Sequence, residues 1–504
     1  MALGRTWAAA LTGVGAALVE VEADVGRGLP GVAIVGMPDS AVLQSRDRMR
    51  AAVANSRLTW PAGKVVLSLS PASLPKQGSG FDLALACGTL LAAGTLPAAA
   101  LEGTLLVGEL ALDGRVRHAR GVLPAVLAAR DAGLRRAVVP AVDLAEARLV
   151  DGIATAGVHS LGQLAAWCAG EAGLELDAED VADEDPAPAD LADVHGQEDC
   201  RRAVEVAAAG GHALLMRGAP GTGKTMLARR LPGLLPPLTP EEALESTAVH
   251  SVAGRLRPSC PLLRRPPFVA PHHSASLAAL IGGGTGLARP GAVSLAHNGV
   301  LFLDECAEFP GRVLDGLRTP LEEGEVRIAR RDGIVVFPAR FQLVLAANDC
   351  PCGAARPEAC SCTPDARRRY GASLTGPLRD RVDISARTMP VGAGLLAGEQ
   401  GEDTAEVRRR VADARSAASA RWAAVPAAGA ARTNARVPAT VLRGRGLIER
   451  SALRPLDRAL AHGVLSARGV DRCLRLAWTV ADLEGAAAPG EDHVSEAMVL
   501  RGED

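Results

Sequence analysis

The chain has 504 residues, 48% of them apolar and 22% charged, with a formal net charge of −2. That length exceeds what one hydrophobic core serves and predicts roughly two to four domains of a soluble globular protein. The near-neutral balance excludes a general nucleic-acid coat, and the scarcity of aromatics, with Tyr370 the only tyrosine, excludes a single-strand binder built on stacking platforms. Any contact with nucleic acid should therefore run from arginine to phosphate.

Two asymmetries lie beneath the totals. The segment Glu171–Asp193 holds ten acids and no Lys or Arg, so removing those acids from a net charge of −2 leaves +8 for the remainder. Ten cysteines are present, four of them within Cys350–Cys362. That distribution is no secreted disulfide framework; it predicts reduced thiols and a cytoplasmic protein with one metal-like cluster.

Residues 1–170 read as alternating strands and helices. The N-terminus, Arg5 followed by Trp7 to Val19, has the outline of a signal peptide. Ala17–Val25 nevertheless alternates as a strand does, and no later stretch could span a membrane. Strands are expected at Val32–Val35, Val65–Leu69 and Ala137–Pro140, with helices at Ser40–Ala54, after Asp82 and at 123–132. Leu105–Val116 has a hairpin pattern around Asp113-Gly114. The runs Gly108–Gly121 and Pro75-Lys76-x-Gly78 resemble the proteolytic domain of Lon-type proteases, whose chemistry is a Ser/Lys dyad. Carried over by position, the serine site falls on Gly80 and the lysine site on Leu123. Ser79 lies one place away without a matched base, and a serine without a base is a weak nucleophile. The resemblance thus implies a protease-type fold without protease activity; a peptidase using Ser79 and Lys76 is the alternative.

Residues 171–192, with the acid run and Pro186 and Pro188, read as a linker. The segment 193–385 then opens with Asp193–Glu198 and a helix at Cys200–Ala209. Gly218-Ala219-Pro220-Gly221-Thr222-Gly223-Lys224-Thr225 fits G-x-x-x-x-G-K-[ST], the phosphate-binding loop. An apolar strand, Ala213–Met216, precedes it and a helix, Thr225–Leu231, follows. In that context the glycines turn backbone N–H groups toward phosphate oxygens at a helix N-terminus. Lys224 is expected to reach the β- and γ-phosphates of ATP, and Thr225 to hold Mg²⁺. Lys64, Lys76 and Lys224 are the chain's only lysines, which sets this one apart.

Thr239–Asn298 reads as a long insert containing Pro271–Ser276. Its adjacent His272 and His273 should point opposite ways on an extended chain and make loop contacts rather than share a metal. Gly299–Glu305 is an apolar strand ending in two acids, the Walker B pattern. Asp304 would orient Mg²⁺ and Glu305 would polarise the attacking water. Gly324–Phe337 reads as a hairpin with Arg327, Arg330 and Arg331 at its tip, either a solvated turn or a loop gripping DNA phosphates. Phe341–Ala347 is a strand ending in Asn348, which matches the sensor-1 position of AAA+ ATPases. Cys350, Cys352, Cys360 and Cys362 can close a tetrahedral Zn²⁺ site, with free or redox-active thiols as the alternative. Leu374–Asp383 resembles the AAA+ segment bearing the arginine finger, on Arg381 ahead of Arg379.

Residues 386–504 are Ala/Arg-rich and helical, with a mobile-looking stretch at 423–438. Leu465–Arg472 opens a helix through Glu484 that resembles the lid helix bearing sensor 2. Arg468 is favoured over Arg472 for contact with the γ-phosphate, although Arg468, Arg472 and Arg475 share a helix face and packing roles stay open.

Taken together, the motifs resemble the magnesium-chelatase-like AAA+ ATPases of the YifB/ComM family. They are the Lon-like front, G-A-P-G-T-G-K-T, P-H-H-S-A-S, R-P-G-A-V-S-L-A-H-N-G-V-L-F-L-D-E, the C-P-C-G cluster and L-S-A-R-G-x-D-R. Departures are Cys306-Ala307, Asp349 and Trp478. The resemblance implies an α/β fold: a Lon-like α/β domain at 1–170, an AAA+ core at 193–385 and a helical lid at 386–504. It further implies a homo-hexameric ATPase that uses ATP and Mg²⁺ to migrate branched DNA, with no membrane partner. A magnesium-insertion motor for tetrapyrroles and a protein remodeller or protease are the alternatives.

Overall fold

The computed structural model describes residues 3–177, 189–284, 288–330, 333–354, 359–375, 381–390, 401–444 and 446–502. Two sheets dominate it. The first has seven strands in the order Gly31–Val35, Lys64–Ser70, Gly15–Gly26, Gly4–Thr12, Thr104–Leu106, Arg136–Pro140 and Ala154–Val158. Gly4–Thr12 lies mid-sheet, antiparallel to Gly15–Gly26 and parallel to Thr104–Leu106. Period-two patterning assigns the faces. Val19, Val21 and Ala23 are buried with helices Ser40–Asn55 and Asp82–Ala92, while Leu18 packs with helix Val122–Asp131 on the other side.

The hairpin expected over Leu105–Val116 is only partly present. Thr104–Leu106 joins the main sheet because its buried side chains complete two cores, and the true hairpin is Glu109–Leu110 with Val116–Arg117. The stretch read as a linker is also packed at its start. Glu175 forms a bridge with Gly157 at the sheet edge, so residues 171–177 pack with the first sheet.

The second sheet is parallel throughout, in the order Phe268–Val269, Val300–Leu303, Gln342–Ala347, Leu214–Arg217 and Ile384–Arg387. Near-continuous apolar runs make these strands: Val300–Leu303 and Gln342–Ala347 are buried along their whole length, as covering a parallel sheet on both faces requires. Phe268–Val269 belongs to the span read as an insert. Helix Pro240–Ala253, closed by a Thr239/Glu242 capping box, also lies in that span. The insertion is therefore shorter than the sequence suggested. Such a mixed α/β fold with a parallel sheet is consistent with an AAA+, magnesium-chelatase-like core.

Helices Glu198–Gly210 and Lys224–Leu234 share one apolar cluster with the C-terminal helices Thr404–Ala423, Ala467–Leu483 and Glu491–Arg501. Trp478 fills that cluster, its ring edge-on to Trp422 at 5.5 Å, with Arg421 stacked 4.2 Å above it. The stretch 423–438 is packed rather than loose. Trp422 donates to Asn434 at 2.7 Å, and Ala428, Ala431 and Val437 are buried.

Candidate nucleotide site

Leu214–Arg217 delivers the phosphate loop to the carboxyl edge of the sheet, beside the point where neighbouring strands run to either side, the usual ligand crevice of open α/β sheets. Only glycine fits at Gly218: its φ is +157°, and a Cβ there would meet the Thr388 hydroxyl at 2.2 Å. Thr388, just beyond Ile384–Arg387, bonds Thr222 of the loop at 2.6 Å. Gln197, ahead of the first core helix, reaches the Thr222 carbonyl at 3.4 Å. The loop is thus tied at Thr222 to elements distant in sequence.

Lys224 begins the following helix. Its ammonium donates to the carbonyls of Gly218 and Ala219, each at 2.8 Å, and to Oδ1 of Asn348 at 3.2 Å. Burial pulls the Lys224 pKa below its ordinary value, and Asp304, Asp349 and Glu305 oppose that pull. The Thr225 hydroxyl donates to Oδ2 of Asp304 at 2.7 Å. One alcohol and one carboxylate oxygen meeting at the foot of a phosphate loop is a donor set that suits Mg²⁺ carrying a nucleotide phosphate. Glu305, next in sequence, adopts a left-handed backbone with φ of 49°, and its N–H donates to Oδ1 of Asp304 at 3.0 Å. A non-glycine residue in that region is strained, and such strain concentrates at functional sites.

His273 is the residue that sequence reasoning missed. Its Nδ1 lies 3.2 Å from Oε2 of Glu305. The expectation that the two histidines point opposite ways is wrong: their ring centroids are 4.1 Å apart, because the chain turns at His272–Ala275 instead of staying extended. Loop contact, the role expected for them, is what they make. The signal available was their place just beyond a strand adjoining the Walker B strand.

Arg381 and Arg468 lie elsewhere. Both line a cavity of about 790 Å³ with Arg318, Arg436, Arg472 and Arg475, and none of Gly218–Thr225 borders it. Arg381 pairs with Glu322 and Arg472 with Asp383. Burial pulls the Arg436 pKa down. Arg468 is thus with Arg381 rather than at its own chain's phosphate loop, because Ala467–Leu483 docks that face beside the opposite ends of the strands.

The hairpin is Glu325–Arg330 paired with Gly333–Pro338. Arg327 is not at its tip: it lies opposite Val336 and pairs with Glu325 at 2.6 Å. Arg330 is at the turn, while Arg331 and Arg379 fall outside the described residues. The sulfurs of Cys350, Cys352, Cys360 and Cys362 converge, all within 4.8 Å of one another. In the first sheet, the Ser79 hydroxyl bonds Glu109 and the Lys76 ammonium bonds the Pro71 carbonyl, so the two side chains that would form a dyad face different partners.

Three family models match. Residues 21–143 match the subunit ChlI of magnesium chelatase, 190–394 the magnesium chelatase subunit ChlI, and 401–501 its C-terminal part. An uncharacterized protein of Mycobacterium tuberculosis is 56% identical over 504 residues, 99% of each chain. The uncharacterized protein YifB of Salmonella typhimurium is 40% identical over 99% of this chain and 97% of its own. The competence protein ComM of Haemophilus influenzae is 39% identical over 99% of this chain and 98% of its own. On full-length identity and on all three matched segments, the chain belongs to the magnesium-chelatase-like YifB/ComM family.

Proposed function

We propose that the protein is an ATP-hydrolysing ring motor, a homo-hexamer in the cytoplasm, that moves branched or single-stranded DNA during recombination. The observation that carries the nucleotide half is the meeting of Thr225 and Asp304 at 2.7 Å below a loop whose lysine touches Asn348. Gly218–Thr225 would bind the phosphates and Thr225 and Asp304 would hold Mg²⁺, which would supply neutralisation of phosphate charge. Glu305 accepts the proton of the attacking water, and Asn348 positions that water.

Arg381 and Arg468 complete the site of the neighbouring subunit, a role that suits a cavity rich in guanidinium groups and remote from the chain's own loop. Hydrolysis at such a seam is transmitted through the helical lid at 386–504 and the hairpin 324–338. Arg330, with Arg327 and Arg331, contacts DNA phosphates there. Residues 1–170 serve as a Lon-like domain without protease activity, in keeping with the separated Ser79 and Lys76.

The DNA half rests on likeness to the competence protein and is tested on a Holliday or three-strand junction. Wild type unwinds it with ATP and Lys224→Ala does not; equal activity in both contradicts the motor. The family models favour a second reading, a motor for magnesium insertion into tetrapyrroles. Stimulation of ATP hydrolysis by a porphyrin-bearing complex and not by DNA decides for it.

A further inference from the structure

The cysteine loop lies against the nucleotide site, not apart from it. It leaves Asn348, whose side chain accepts from Lys224, after a single intervening residue. Gly353, inside the loop, has φ of +64°, and a Cβ there would stand 2.8 Å from Cγ of Pro220 in the phosphate loop. On its far side the loop runs into helix Pro364–Thr375, which packs on the turn Cys306–Glu308 directly after Glu305, with Tyr370 buried. The loop thus meets the phosphate loop at Gly353, follows the residue that accepts from the lysine, and leads into a helix packed on the turn after the acid.

Among the described residues of this loop, little apolar surface is buried. Cys350 is buried, but Cys352 is exposed and Cys360 and Cys362 are half-exposed. The sulfurs of Cys350 and Cys352 are 3.3 Å apart, and that of Cys360 is 3.6 Å from each. Four thiolates at about 2.3 Å from one zinc ion stand about 3.8 Å from each other in a tetrahedron. That spacing suits a single ion; an iron–sulfur cluster has its thiolates on separate irons. Arg367, on the following helix, hydrogen-bonds to the Cys360 sulfur and would offset thiolate charge.

We propose that Cys350, Cys352, Cys360 and Cys362 bind one Zn²⁺ that braces Asn348 and Pro220, so that metal occupancy controls nucleotide binding and hydrolysis. The brace rests on the nucleotide site described above. Zinc replaces the hydrophobic core that so short a loop cannot build, and the strut it makes keeps the water-positioning side chain and the phosphate loop in register.

The test is elemental analysis of the full-length chain with fluorescent-ATP affinity and steady-state hydrolysis. Wild type should carry about one zinc per chain. Stripping it with a chelator, or Cys352→Ser with Cys360→Ser, should cost about ten-fold or more in kcat/KM for ATP. Zinc returned to the stripped wild type should restore activity, which separates bracing from misfolding, and Cys260→Ser should change neither readout. Iron in place of zinc, or four free thiols with no metal, overturns the site. Unchanged nucleotide affinity and hydrolysis after zinc removal overturns the coupling alone. A zinc-loaded chain that binds no nucleotide overturns the nucleotide reading and the coupling with it.

Discussion

Glu305 is held between two constraints: a left-handed backbone and a histidine 3.2 Å from its carboxylate. Replacing it by glutamine removes the proposed proton acceptor and keeps the shape. Glu305→Gln should bind ATP normally and hydrolyse it roughly 10²–10⁴-fold more slowly, read by nucleotide affinity beside phosphate release. His273→Ala should act in the opposite direction. A hydrogen bond of about 1 kcal/mol that holds the carboxylate away from water, once removed, corresponds to a roughly five-fold rise in DNA-free hydrolysis. A fall in that rate would make His273 a supporting residue instead of a restraint. Gly218–Thr225 and Asp304-Glu305 were legible in the sequence because their chemistry is written in adjacent residues. His273 was not, since its contact depends on where the short strand Phe268–Val269 ends, a tertiary fact.

At the scale of elements, the front portion is joined to the core through helix Val122–Asp131, which packs on helix Pro240–Ala253. One carboxylate clasps both: Oε1 of Glu146 takes the Leu123 N–H at 2.7 Å and the Ser251 hydroxyl. Burial pushes the Glu146 pKa up from 4.5 to about 7. His118, bonded to Asp143 at 2.6 Å, is raised as well, and Arg257 borders the same small cleft. Both groups hold a proton more tightly folded than unfolded. The Glu146 contribution is therefore complete below about pH 4.5 and is lost as pH rises through 7, and the His118 contribution is likewise lost on the alkaline side. Glu146→Gln keeps an acceptor without a charge and should stabilise the chain at pH 8 by up to about 3 kcal/mol. Thermal unfolding from pH 5 to 8 would show the variant's curve flatter than wild type; parallel curves would contradict the assignment. Most helices and strands were legible from apolar periodicity. The lost parts are those set by docking: the hairpin at Leu105–Val116, the edge strand inside the supposed insert, and the packed stretch 423–438.

At the scale of the molecule, the phosphate loop and the arginine-lined cavity are on different faces. The phosphate loop and its acids occupy the carboxyl edge of the parallel sheet, while Arg381 and Arg468 share a cavity that no loop residue borders. The sequence singled out those arginines by resemblance to a motif but left their placement open, because the helix Ala467–Leu483 reads the same wherever it docks. On the proposed reading, a chain arranged this way needs a second copy to complete one site. A trans arginine contributes about 10³–10⁵ in rate, so Arg381→Ala should bind ATP and fail to hydrolyse it. Mixing Lys224→Ala with Arg381→Ala, each inactive alone, tests the shared seam most directly. The account predicts that phosphate release returns on mixing, since some seams pair an intact loop with an intact arginine. Full hydrolysis by Arg381→Ala alone, or no recovery in the mixture, would contradict it.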